Sequence, residues 1–412
     1  MANTQKKNKL PVNANKRLLL DLLSLSAKKN AQFLEITPDK LFLNIHQKVV
    51  NLSGKTTPQI NQELIDYLAE QSHTKLNFNQ ADFLTAKLKL ADENLKFNLS
   101  LKFIKSRFGL PQVLIFIDQP IKPLGLQELG FWGRNLNQLC DSLVLGWGLN
   151  LISAEFHLAR ILAYSMAKLA AKKDSSIVFI SEEPKKVPEF GNLKIFGLPE
   201  DLTSAKQLSK LIFRIKPNVL VVEKIGGNPA IADLIISLSH HGTVVIAIND
   251  FINTSSAISS LASLTRFNAG YLAESLNLII NAVAIESIAG NSAPFKPSND
   301  NLESLQKLFK LKGADSWGDL ATLGGFSFKD KPIFYSKKAS GNIDGAITTI
   351  NQCLVIDRSI KKLIAAEDFG YHHISSRAVN RGMLAMQYDG LIKAMRGDIA
   401  LSDLLEIIKP PR

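Results

Sequence analysis

NVLVVEKIGGNPAIADLIISLSHHGTVVIAI, residues 218–248, is the stretch that decides the fold. Two short runs, NVLVVE (218–223) and TVVIAI (243–248), flank a segment at 228–240 with helical patterning. Strands that are apolar at nearly every position are buried on both faces, and strands separated by a helix pair in parallel. The pattern continues outward in both directions. Upstream lie LNLIS (149–153), a helix near 155–172, SIVFIS (176–181) and a helix near 203–214; downstream lies a helix near 254–264. The spacing predicts an α/β core with a mostly parallel sheet covered on both faces by helices.

Residues 18–119 read differently. Residues 18–26 and 58–72 are helical in pattern, the second with Thr57 as a cap before Pro58. QFLEIT (32–37) and KLFLNI (40–45) alternate around Pro38-Asp39, a hairpin signal. Strand-like runs at 86–90, 96–103 and 112–117 complete a small α+β domain, with Asp92-Glu93-Asn94 turning the first into the second. Pro120 and Pro123 mark a linker. The expected domains are a basic disordered tail (1–17), this α+β domain (18–119), the parallel core (120–290) and a mainly helical C-terminal subdomain (291–412).

Composition narrows the function classes. An apolar share of 46% with 21% charged residues belongs to a folded chain, which excludes a disordered interaction protein. No apolar run reaches the roughly 18 residues that cross a bilayer, and the first residues carry no export signal, so the cytoplasm is expected. Cys140 and Cys353 are too few for a disulfide framework or a four-thiolate zinc site. The net charge of +12 suits an anionic partner, either nucleic acid or a membrane face. Yet no aromatic-flanked basic stripe, recognition-helix motif or zinc finger is visible along the chain, so a solvated surface is the simpler reading.

The C-terminal stretch RGMLAMQYDGLIKAMRGDIALSDLLEII, residues 381–408, sets Gly382, Met383, Met386, Asp389, Gly390, Leu391, Lys393 and Gly397 at fixed spacing before a short apolar helix. It resembles the closing signature of the motor ATPases of type II secretion and type IV pilus assembly. Gly397 alone also suits the C-cap of an ordinary helical hairpin. From this anchor the resemblance extends over residues 18–408. NFNQADFLTAKLKL through VLIFID is similar to the family's N-terminal regulatory domain, with Phe108-Gly109 before its last strand. ISEEP (180–184) falls at the acidic Asp box, KPNVLVVEKI (216–225) at Walker B, and HGTVVIAINDF (241–251) at the His box. SSAISSL (255–261) and YLAESLNLIINAVA (271–284) match the elements that follow.

The family's chemistry needs particular residues at these places. A P-loop needs glycines whose amides surround phosphate, a Lys for the β- and γ-phosphates and a Ser or Thr on magnesium. In LISAEFHLARILAY (151–164), Ala154, His157 and Ala159 stand at the glycine positions, Arg160 at the lysine and Ile161 at the metal-binding hydroxyl. Walker B needs a carboxylate beside magnesium. Lys224 stands there, and Glu223, one residue earlier, is expected on the opposite face of its strand unless the register slips. Glu182 and Glu183 remain from the Asp box and read as a solvated strand end. Thr243 and Asp250 replace the His-box histidines, with Asn249 and Asn253 adjacent. His240-His241 reads as an exposed helix C-terminus. Ser100 and Ile115 replace the arginines of the N-terminal domain, leaving Lys102, Lys105 and Arg107 nearby. The zinc-holding cysteine pairs of many members are absent from 285–345, FYSKKASG (334–341) standing at the second.

The resemblance thus implies a RecA-like core in a degenerate member without ATP hydrolysis: no catalytic residues, no metal, no cofactor, and Arg160, Ile161, Glu182, Glu183, Glu223 and Lys224 as vestiges of a nucleotide site. It implies a homo- or hetero-hexamer with motor-family subunits and an inner-membrane platform protein as partner, with the chain cytoplasmic and peripheral at that membrane. The alternatives are an active hexameric ATPase using ATP and magnesium through a rearranged loop, with Arg160 on phosphate and Glu182, Glu183 or Glu223 as the carboxylate, and a basic nucleic-acid-binding protein. Nucleic acid ranks last among the partners.

Overall fold

The computed structural model describes residues 12–408 apart from 29–30, 46–47, 53–55, 79–82, 92–94, 106–109, 119–120, 122, 250–253, 312–315, 329–330 and 339–346. The Asp92-Glu93-Asn94 turn, Phe108-Gly109, Arg107, Asp250 and Asn253 lie outside the described residues. The chain divides into two compact units, residues 1–120 and 121–412.

The first unit runs α1 (Val12–Lys28), β1 (Phe33–Ile36), β2 (Leu41–Ile45), β3 (Lys48–Asn51), α2 (Pro58–Gln71), β4 (Phe83–Ala91), β5 (Lys96–Lys105) and β6 (Pro111–Ile117). Its sheet is antiparallel, in the order β3-β2-β1-β6-β5-β4. Thr57 caps α2 by accepting from the Ile60 amide, with Pro58 in the first turn, as the sequence implies. Residues 12–17, expected in a disordered tail, instead open α1. Leu19, Leu20, Leu22 and Leu23 are buried, and Asn15 one turn earlier is buried with them, so the packed face extends N-terminally.

The second unit begins with α3 (Gly133–Val144), β7 (Gly148–Ala154), α4 (Phe156–Ala170), β8 (Ser176–Ser181) and β9 (Asn192–Gly197). It continues through α5 (Leu202–Ile215), β10 (Val219–Val222), α6 (Pro229–His240), β11 (Val244–Asn249), α7 (Thr254–Leu264), α8 (Ala269–Ser275) and β12 (Leu276–Glu286). Then come β13 (Ser292–Phe295), α9 (Asn299–Leu308), α10 (Ser316–Leu323), β14 (Phe334–Lys337), β15 (Ile347–Val355), α11 (Arg358–Ala365), α12 (Tyr371–Asn380), α13 (Met386–Arg396) and α14 (Leu401–Ile407).

Seven strands form one sheet, β15-β12-β7-β11-β10-β8-β9, parallel throughout except for β15. Side chains alternate between two cores. Leu220, Val222, Val245 and Ala247 pack with Ile231 and Ile235 of α6, whereas Val219, Val221, Ile246 and Ile248 pack with Ile161, Leu162 and Met166 of α4. Burial on both faces explains why these strands read as unbroken apolar runs.

The C-terminal stretch is not only helical. β13 and β14 make a small antiparallel ribbon, and β15 adds an antiparallel edge to the core sheet with Ile280 opposite Cys353. ITTINQCLV is polar for so buried an edge strand, and its buried Thr349 and Asn351 find partners. Thr349 donates through Oγ1 to Leu129 O at 2.6 Å, and the Asn351 amide donates to Asp389 at 2.8 Å.

Candidate functional site

The C-terminal ends of β7, β10 and β8 converge, and such strand ends are where open α/β sheets bind ligands. A phosphate-holding loop would leave β7 here. Instead β7 ends at Ala154, α4 starts at Phe156, and Glu155 alone separates them. The Glu155 carboxylate caps α4, accepting from the amides of His157 at 3.1 Å and Leu158 at 3.2 Å. These are amides a P-loop helix would offer to phosphate, and the chain's own anion holds them.

Arg160 follows one turn later with only 2% of its side chain exposed. Its Nε donates to Glu223 at 3.1 Å and Nη1 to Glu183 at 2.6 Å, and Tyr164 accepts from Nη2 at 3.2 Å. Glu223 is fully buried and accepts further from the Tyr164 hydroxyl, from Ser181 Oγ at 2.7 Å and from the Glu182 amide at 3.1 Å. Phe156 places its ring 5.4 Å from the guanidinium carbon. Burial opposes the Arg160 charge, but Tyr164, Glu223 and Glu183 outweigh it and hold the group protonated. Burial, then Glu223, raises the Tyr164 hydroxyl well above its ordinary range, so it stays a donor. Glu183 is half-exposed; burial would raise its carboxyl, but Lys186 and Arg160 prevail and lower it.

Glu223 therefore does not point away from the site. Val219, Val221 and Glu223 share the face toward α4, and no register slip is involved. Lys224 lies outside the cluster and pairs with Glu182 at 3.0 Å. Glu183 is likewise an ion-pair partner, of Arg160 and Lys186, rather than a solvated strand end. Ile161 is a core residue at 4% exposure.

The remaining sequence candidates are dispersed. Thr243 is buried and donates to Pro217 O at 2.8 Å. His240 ends α6 half-buried against the Tyr271 ring, whereas His241 is exposed and faces Phe213 edge-on. Ser100 donates to Asp118 at 2.6 Å and Ile115 is core. Sequence reasoning passed over Glu155, Tyr164 and Ser181. Tyr164 stands four residues after Arg160, one helical turn on, and that spacing was the available signal.

The C-terminal signature does structural work. Asp389 is buried on α13 and accepts from Trp132 Nε1 at 2.7 Å, the Asn351 amide at 2.8 Å and Lys393 Nζ at 2.7 Å. Lys393 also donates to Thr349 O at 2.5 Å. Burial pushes the Asp389 carboxyl up and the Lys393 ammonium down, and each group's partners oppose the shift. Gly382, at φ +84°, leaves room for Arg134, which donates to Arg381 O at 2.8 Å. Gly397, at φ +79°, is the left-handed C-cap of α13.

No family model matches the sequence, and no curated protein matches it either. Solved structures do. The ATPase DotB of Legionella pneumophila superposes with a TM-score of 0.64 at 11% identity, covering 98% of this chain and 97% of that one. DotB of Yersinia pseudotuberculosis gives 0.59 at 13% identity, covering 98% and 96%. The pilus retraction motor PilT, solved with bound ADP, gives 0.53 at 13% identity, covering 95% and 97%. From its N-terminal sheet to the helices of the C-terminal signature, the chain has the fold of these secretion and pilus ATPases.

Proposed function

We propose that this chain is a non-hydrolysing counterpart of the secretion and pilus motor ATPases, serving as a structural or regulatory subunit of such a machine. One observation carries the reading: the phosphate end of the fold is filled by the chain's own charges. Glu155 holds the α4 amides, and Glu223 and Glu183 hold Arg160. A triphosphate entering here would have to displace these carboxylates, and Ile161 offers magnesium no oxygen. Subunits of the same architecture and a membrane platform protein are the partners this reading implies. Among the described residues no helix is long and apolar enough to cross a membrane, so contact with such a platform would be peripheral.

Calorimetric titration of the purified chain with magnesium-ATP, alongside a phosphate-release assay, tests the proposal. The expected result is neither saturable heat nor magnesium-dependent hydrolysis above background. Micromolar binding or steady turnover, lost on Arg160→Ala, would instead establish an active ATPase that breaks the internal ion pairs to admit nucleotide.

A further inference from the structure

The sheet of the first unit has one face covered by α1 and α2, burying Leu34, Leu101, Phe103, Val113 and Ile115. The residues of opposite parity make up the other face. Strand register sets Lys87 opposite Ser100 and Ser100 opposite Phe116, whose ring centroid lies 5.5 Å from that of Phe33. In the adjacent rows Lys89 faces Asn98, and Lys102 lies between Thr85 and Leu114. Phe83 is 50% exposed at the edge, with Lys102 Nζ 4.3 Å from its centroid. Lys87 and Lys89 are exposed, and neither has an ion-pair partner among the described residues. Two carboxylates share this face. Burial raises the Glu35 carboxyl, and Asp118 accepts from Ser100. No single strand shows a basic stripe flanked by aromatics, yet three paired strands assemble one.

We infer that this face binds single-stranded nucleic acid. Neighbouring strands stand about 4.8 Å apart, so the lysines of β4 and β5 form one side of the face and the Phe116 and Phe33 rings the other, within reach of one strand's backbone and bases. Rings on a sheet stack unpaired bases without regard to sequence, while lysines follow the backbone. An acidic peptide would satisfy the lysines but leave the rings without planar partners. A bilayer would need apolar groups that protrude, whereas Phe33 and Phe116 are only half-exposed between their neighbours. Duplex DNA keeps its bases stacked and out of reach of a flat surface.

Fluorescence anisotropy of a labelled oligothymidylate with the full-length chain tests this. Binding is expected at low salt, with polyglutamate of equal charge competing poorly. Lys87→Ala with Lys89→Ala should reduce the slope of log affinity against log salt by about 1.4, roughly 0.7 per lysine. Phe83→Ala should weaken binding about tenfold and leave that slope unchanged, and Phe83→Trp should restore it. Both sites are exposed, and circular dichroism verifies that the variants fold. No binding at low salt, indifference to both sets of variants, or equal competition by polyglutamate or by phosphatidylglycerol vesicles would overturn the inference.

Discussion

Arg160 is the residue on which the site turns. A guanidinium buried to 2% exposure persists because two carboxylates and a phenol satisfy its donors. Removing it leaves the fully buried Glu223 carboxyl without its main counter-ion. Arg160→Met should therefore cost about 3–5 kcal/mol of stability, read as a lowered urea midpoint at unchanged slope. Adding Glu223→Gln should recover part of the loss, because the amide oxygen still accepts from Tyr164 and Ser181. If both variants unfold like the parent, the cluster is not holding the core together. The position of Arg160 was legible in the sequence from its spacing after β7. The direction of Glu223 was not, because parity along VLVVE shows that Glu223 joins Val219 and Val221 but not which face α4 covers.

Among the elements, α13 shows what the C-terminal signature does for the fold. Its Asp389 and Lys393 are one turn apart and together fasten the helix to β15 and to Trp132 ahead of α3. These contacts serve the fold and need no nucleotide. Lys393→Met should leave Asp389 buried with two donors and no cation, costing about 3 kcal/mol in chemical denaturation. A cost below about 0.5 kcal/mol, the range of ordinary surface substitutions, would mean the carboxyl is already protonated and the pair is not ionic. The parallel strands were legible because burial on both faces makes them apolar throughout. β15 was not, since Thr349 and Asn351 are buried through hydrogen bonds to Leu129, Gly130 and Asp389, all more than thirty residues away. Local periodicity carries no trace of such partners.

For the whole molecule, net charge says less than where the charges meet. Outside the basic tail the +12 surplus read as a solvated surface, and the register of β4, β5 and β6 gathers Lys87, Lys89 and Lys102 with Phe83 and Phe116 on one face. The acids of the second unit are arranged in a way that sets its response to pH. For Glu183, Asp233 and Asp357, burial would raise each carboxyl. It is outweighed by Lys186 and Arg160 at Glu183, by Arg266 and Thr265 at Asp233, and by Ser359, the Ile360 amide and Arg381 at Asp357. All three carboxyls are therefore lower in the folded chain than their unfolded values of about 4. A depressed acid contributes stability that is fully present above its unfolded value and disappears as pH falls through the folded one. Glu35 and Asp389, raised by burial, act in the opposite sense and soften the fall. Thermal unfolding of the full chain should give a Tm that is level from about pH 7 to 5 and drops below about pH 4. Asp233→Asn should lower the neutral-pH Tm and flatten the acid drop, because the amide keeps its acceptor but no longer titrates. A Tm that rises on acidification would mean the raised carboxyls dominate, and the ion pairs around Arg160 and Arg266 would then contribute little to holding the second unit folded.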